Sequence, residues 1–275
     1  MHPDRTDVLH NQCVRFSSPA ALNDPFELKP HLAALGTNEY LKAEVQRALP
    51  LAFTNELSRM PSELRALLSE KTLYECFEAY LPSIQKNLSD FSSQMMPLLQ
   101  NTMASKIEEV VGVLCLSSIP DSLLMWAHYA DAHRGFVLQF DETSPFFDSR
   151  ITDLDELRHL HRVKYSATRP SLTLSEVEDA SAFLTKGMEW AYEAEWRMIV
   201  PLADASRVIE DKLGPIHLYN FPASAVTSVI CGCRMLDSKK AEIQAVLAKL
   251  PQYAHVRLMT AEIDDRNYTL HIGSR

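Results

Sequence analysis

The chain has 275 residues, 46% of them hydrophobic and 23% charged, which supplies apolar material for a sizeable core. Its 36 acidic side chains outnumber 27 basic ones, and the formal charge of −9 argues against nucleic acid or an anionic membrane as a general partner. No apolar stretch reaches the roughly 18 residues of a membrane span, and the odd count of five cysteines with a polar amino terminus points to reduced thiols in a cytoplasm.

Cys13-Val14-Arg15-Phe16-Ser17 reads as a short strand, followed by turns at Ser18-Pro19 and Asn23-Asp24-Pro25. Residues 37–110 are helical in period, with Pro50, Pro61, Pro82 and Pro97 dividing them into several helices. Ser62 and Ser83 are expected helix starts. This region carries no catalytic cluster and is expected to be a helical insertion into a single domain. Residues 110–118 then form a continuous apolar run rich in valine, the pattern of a buried strand, with Cys115 as a small core residue.

Pro120-Asp121-Ser122 opens a helix that carries Trp126, Tyr129 and Asp131, capped by Asp121 or Ser122. Strands are expected at residues 136–140, 163–165, 196–200, 216–221, 226–231, 256–259 and 268–272. Residues 175–192 and 238–250 have helical spacing. The fold class is therefore α+β, with a mixed or mostly antiparallel sheet and flanking helices.

Three constellations could carry chemistry. Asn23-Asp24-Pro25-Phe26-Glu27 is a turn, either with Phe26 buried or with Asn23, Asp24 or Glu27 facing a ligand. Leu124 to Phe136 interleaves apolar and ionisable groups where a plain core helix would sort them, because an unpaired buried polar group costs about 1–3 kcal/mol. There Tyr129, His133 and Arg134 are the candidate ligand contacts, with Trp126 nearby and Ser117 at the preceding strand end. The third, Lys186 to Arg197, places Lys186, Trp190, Glu193 and Arg197 at helical spacing. Glu193 and Glu195 would point the same way on an extended backbone and could polarise a hydroxyl or steady a cationic transition state. The alternative is that both glutamates only form ion pairs with Lys186 and Arg197.

Other motifs read as structure. Cys231-Gly232-Cys233 lacks the spacing and second pair of a zinc knuckle, so no metal site is expected. No G-x-S-x-G elbow surrounds Ser117-Ser118. The basic run from Arg158 to Lys164 reads as a solvated face.

The ordered motifs Asn23-Asp24-Pro25-Phe26-Glu27, Met125-Trp126-x-His128-Tyr129-Ala130-Asp131-x-His133-x-Gly135 and Trp190-x-Tyr192-Glu193-x-Glu195-Trp196-Arg197 resemble a bacterial family of unknown function. A more distant likeness is to ADP-ribosyltransferase-like folds, which also order a strand serine ahead of a late Glu-x-Glu. That likeness implies NAD as cofactor, Glu195 or Glu193 as the catalytic acid and Ser117 as a positioning residue. Two functions are thus expected. One is an enzyme of toxin or defence type acting on a nucleotide-like ligand. It would use Asn23, Asp24, Ser117, Trp126, Tyr129, His133, Arg134, Lys186 and Arg197 for binding. The other is a non-catalytic ligand sensor or protein-interaction module.

Overall fold

A computed structural model describes residues 1–275 except 68, 178, 213 and 275. In chain order the elements are α1 (Asp7–Asn11), β1 (Cys13–Phe16), β2 (His31–Ala34), α2 (Asn38–Arg59), α3 (Ser62–Leu67), α4 (Glu70–Val110), β3 (Val111–Ser117), α5 (Leu123–Tyr129) and β4 (Phe136–Phe140). Next come β5 (His161–Arg162), β6 (Lys164–Ser166), β7 (Ser171–Thr173), β8 (Thr185–Gly187), β9 (Glu195–Pro201), β10 (Arg207–Ile209) and β11 (Ile216–Asn220). The chain closes with β12 (Val226–Cys231), α6 (Asp237–Lys249), β13 (Arg257–Ile263) and β14 (Leu270–Ser274). This is an α+β fold with several, mostly antiparallel, sheets.

The chain divides into two compact units. The first comprises residues 1–29, 105–169 and 183–275, the second residues 30–104 and 170–182. Unit 2 holds α2, α3, most of α4 and the parallel pair β2–β7. Pro50 sits inside α2, and Pro82 and Pro97 sit inside α4, so the expected breaks at these prolines are corrected. A proline removes one ladder bond and crowds the preceding turn. The intact turns on either side keep these helices continuous. Ser83 accordingly lies within α4 and starts no helix.

Unit 1 contains sheets of order β1-β11-β10, β14-β13-β12-β4 and β3-β9-β5, with a parallel β6–β8 pair. Leu9, Phe16, Phe136, Phe221, Ile243 and Tyr253 all lie in one buried cluster that ties α1 and α6 to the strands. At about 1.5–3 kcal/mol for each fully buried large side chain, this cluster is the main source of cohesion in the unit. A smaller cluster packs Trp126 of α5 against Ile230 and Ala261.

Two further local expectations are also corrected. Residues 174–176, 181–184 and 188–193 form 3-10 turns, with the short β8 between the last two, instead of an α-helix. Gly187 interrupts the run, and the buried partners of Lys186 and Glu193 override helical spacing, as tertiary contacts do. Helix α5 ends at Tyr129, because Asp131, Ala132 and His133 all adopt positive φ. Three successive left-handed residues cannot continue a right-handed helix.

That turn delivers Gly135 beneath the amino-terminal residue. Met1 N donates to Phe136 O at 2.8 Å, and Phe136 N donates to Met1 O at 3.1 Å. A Cβ on Gly135 would collide with the Met1 carbonyl, whereas Gly273 has open space around it. Gly135→Ala is therefore expected to destabilise the protein by about 1–3 kcal/mol, read as a lower melting temperature. Gly273→Ala is the control, with no steric clash.

Candidate functional site

Glu27, Lys186, Glu193, Glu195 and Arg197 of unit 1 converge on one buried ion network. Its parts come from separate elements. Asp24 Oδ1 accepts from Phe26 N at 2.9 Å, and Glu27 N donates to Asp24 O at 3.1 Å, closing a turn that throws Glu27 inward. Phe26 is 60% exposed and Glu27 only 3%, the reverse of a turn built on a buried phenylalanine.

Glu195 and Arg197 lie two apart on β9, so strand alternation puts both on one face. Arg197, with 0% exposure, donates to Glu195 Oε1 through Nε at 3.0 Å and Nη2 at 2.8 Å. Its Nη1 donates to Glu27 Oε1 at 2.7 Å and to Phe183 O at 3.1 Å. Lys186 Nζ, from β8, lies 2.6 Å from Glu193 Oε2, 3.0 Å from Glu195 Oε2 and 3.6 Å from Glu27 Oε2. The Trp190 ring backs this ammonium, with its centroid 4.8 Å away. Ala194, at φ 44°, kinks the chain between the two glutamates. That kink, not an extended backbone, lets both carboxylates reach Lys186.

The network meets the outer part of the site at Tyr129 and Cys115. Tyr129 OH donates to Glu193 Oε1 at 2.6 Å, and Asn23 Nδ2 donates to Tyr129 OH at 3.3 Å. Burial and the bond to Glu193 push the Tyr129 hydroxyl well above its usual range. The Cys115 thiol helps to hold the Glu195 carboxyl low. Surrounding protein atoms and the Glu195 charge push that thiol well up, although Cys115 keeps open surface. Its reading as a core residue is thus corrected. Ser117 Oγ donates to the Glu193 carbonyl at 2.7 Å.

Cys115, Ser117, Trp126 and Tyr129 all line a cavity of about 670 Å³, together with residues of β1 and β4. Its volume lies in the range of small-molecule pockets, about 300–1,000 Å³. Lys186, Glu193, Glu195 and Arg197 stand behind that wall. His133 and Arg134 lie apart from the network. His133 lines a different cavity beside Arg234 and the β13–β14 connection, and its Nδ1 is buried without a hydrogen-bond partner. Arg134 forms a bidentate pair with Asp131. Among the described residues no His, Cys, Asp or Glu group is arranged to hold a metal ion.

Cys115 and Tyr165 are the members beyond the sequence-derived candidates, Tyr165 by accepting from Glu195 N at 2.8 Å. Glu27 had a signal, its place in the Asn23-Asp24-Pro25 turn. Cys115 had none, because its neighbours are apolar.

These features describe an α+β unit built around a buried carboxylate–lysine–arginine network beside a cavity. Residues 125–198 match the family model described as "Protein of unknown function (DUF2971)". The matched stretch includes Tyr129, Lys186, Glu193, Glu195 and Arg197, while Asn23, Asp24, Glu27 and Ser117 lie before it. No curated protein and no solved structure matches the chain.

The charge states have opposed consequences. Burial works to raise Glu195, but Arg197 and Lys186 outweigh it and hold the carboxyl below its usual range. Stability from this group is complete above the ordinary glutamate pKa of about 4.3 and is lost as pH falls through the lowered value. Glu27 is raised, chiefly by burial, so its contribution has the opposite sign and is lost as pH rises through the raised value. Glu195→Gln should flatten the acid limb of a stability-versus-pH curve. Lys186→Met should cost about 3–5 kcal/mol in urea unfolding, because it strands carboxylates at 2–5% exposure without their cation.

Proposed function

We propose that unit 1 is a non-catalytic ligand-receiving module, with the cavity as its receptor and the ion network as the rigid backing of the cavity wall. One observation carries this reading. Both oxygens of both central glutamates are engaged, Glu193 by Tyr129 and Lys186, Glu195 by Arg197 and Lys186. A general acid or base has to exchange a proton with its substrate in reach of it. Carboxylates paired on every oxygen behind a wall are suited to holding that wall in place.

Lys186 supports the same role. Burial acts against its charge, but Glu195, Glu193 and Glu27 together raise its pKa, so it stays a fixed cation. Tyr129 joins the two layers, with its ring at the cavity and its hydroxyl on Glu193.

The test pairs thermal-shift screening with an NAD assay. A cavity ligand present at 100 times its Kd should stabilise the protein by about 2.7 kcal/mol. Tyr129→Phe should weaken that ligand while leaving the protein folded. The purified protein is expected not to consume NAD. NAD turnover that disappears in Glu195→Gln would overturn the reading in favour of an ADP-ribosyltransferase-like enzyme.

A further inference from the structure

The cavity of unit 1 is walled by the open edges of strands. On β3, Val113 N donates to Ser17 O at 2.8 Å, and Ser17 N donates to Val113 O at 2.9 Å. These bonds lie on the side of β3 away from β9. The alternation of an antiparallel ladder then turns the N–H and C=O groups of Cys115 and Ser117 to that same outer side. On β4, the reciprocal pair of Phe136 with Met1 lies away from β12, and the same alternation turns Leu138 and Phe140 outward. All four residues line the cavity, and among the described residues none has a backbone partner on that side.

The fork between β1 and β3 widens the opening. Ser17–Val113 is the one rung between them among the described residues, and Arg15, opposite Cys115 in that register, lines the cavity instead of pairing. Unpaired strand edges are templates for another strand. Donors and acceptors repeated along two strands match a peptide backbone, whose groups recur at the same spacing, better than they match a compact molecule.

We propose that this slot accepts an extended, acidic peptide segment of a partner protein, inserted between β4 and β3. It runs antiparallel to β4, in the register that the Met1–Phe136 pair begins. The inference rests on the reading of the cavity as a ligand receptor and names the ligand class. The acidic preference follows from the lining. The lining carries one carboxylate, Glu142, and three basic side chains, of which His2 lies 3.5 Å from Asp4 and 3.9 Å from Asp131. Arg5 is paired with Asp7 at 3.0 Å, whereas Arg15 has no ion pair among the described residues.

The experiment is hydrogen exchange of the full chain with end-blocked Glu-Val-Thr-Val-Thr at about millimolar concentration. Protection of the Leu138, Phe140, Cys115 and Ser117 amides should rise about tenfold or more. A peptide with proline at both valine positions should give none, since proline has no N–H to donate. A lysine in place of the glutamate, or Arg15→Ala in the protein, should weaken binding about two- to fivefold.

Protection seen only when the same five residues are fused ahead of Met1 would overturn a partner as the source. Protection by neither form, or equally by the proline peptide, would overturn strand insertion itself. In that case small molecules that still raise the melting temperature would leave the broader cavity reading standing.

Discussion

The architecture of unit 1 depends on neutralising three buried carboxylates with two buried cations. Glu27, Glu193 and Glu195 share Lys186 and Arg197, leaving one negative charge in excess. A hydrogen bond from Tyr129 to Glu193 spreads that charge further. Removing such ions from water is expensive, and only complete pairing with good geometry repays it. The same demand fixes where β8, β9 and the Asn23-Asp24-Pro25 turn lie relative to one another. A hydrophobic cluster of similar volume would give cohesion without that positional precision.

The cavity follows from the same arrangement. Side chains that contact the network from its outer side, Cys115, Ser117 and Tyr129, also form part of the cavity wall. The wall is therefore held from behind by ionic contacts and from the side by Trp126, whose Nε1 donates to Pro120 O at 2.7 Å. Apolar packing alone would let such a large space collapse, since interiors close-pack wherever side chains can move.

Much of this was legible in the sequence where the signal is local. Period-two runs located β9 and β12 to within a residue or two, and Ser122 caps α5 by accepting from Met125 N at 3.4 Å. The density of charge and aromatic residues from Lys186 to Arg197 marked the network. What was not legible is set by distant partners. Glu27 meets Arg197 across 170 positions, and no local pattern encodes that meeting. The helical spacing of residues 175–192 was a true periodicity that lost to buried ion pairing. His133 and Arg134 shared a window with Tyr129, but the left-handed turn after α5 swings them away from it.

Ala194 sits at φ 44° between the two central glutamates, a conformation that costs a residue with a side chain roughly 1–2 kcal/mol. It is held there because both flanking carboxylates are tied to Lys186. Release of either tie removes the reason for the kink, and relaxation of the kink pulls the other carboxylate out of place. The segment from Met188 to Arg197 is thus held by one ammonium on both sides of its kink, so the positions of its two carboxylates depend on each other.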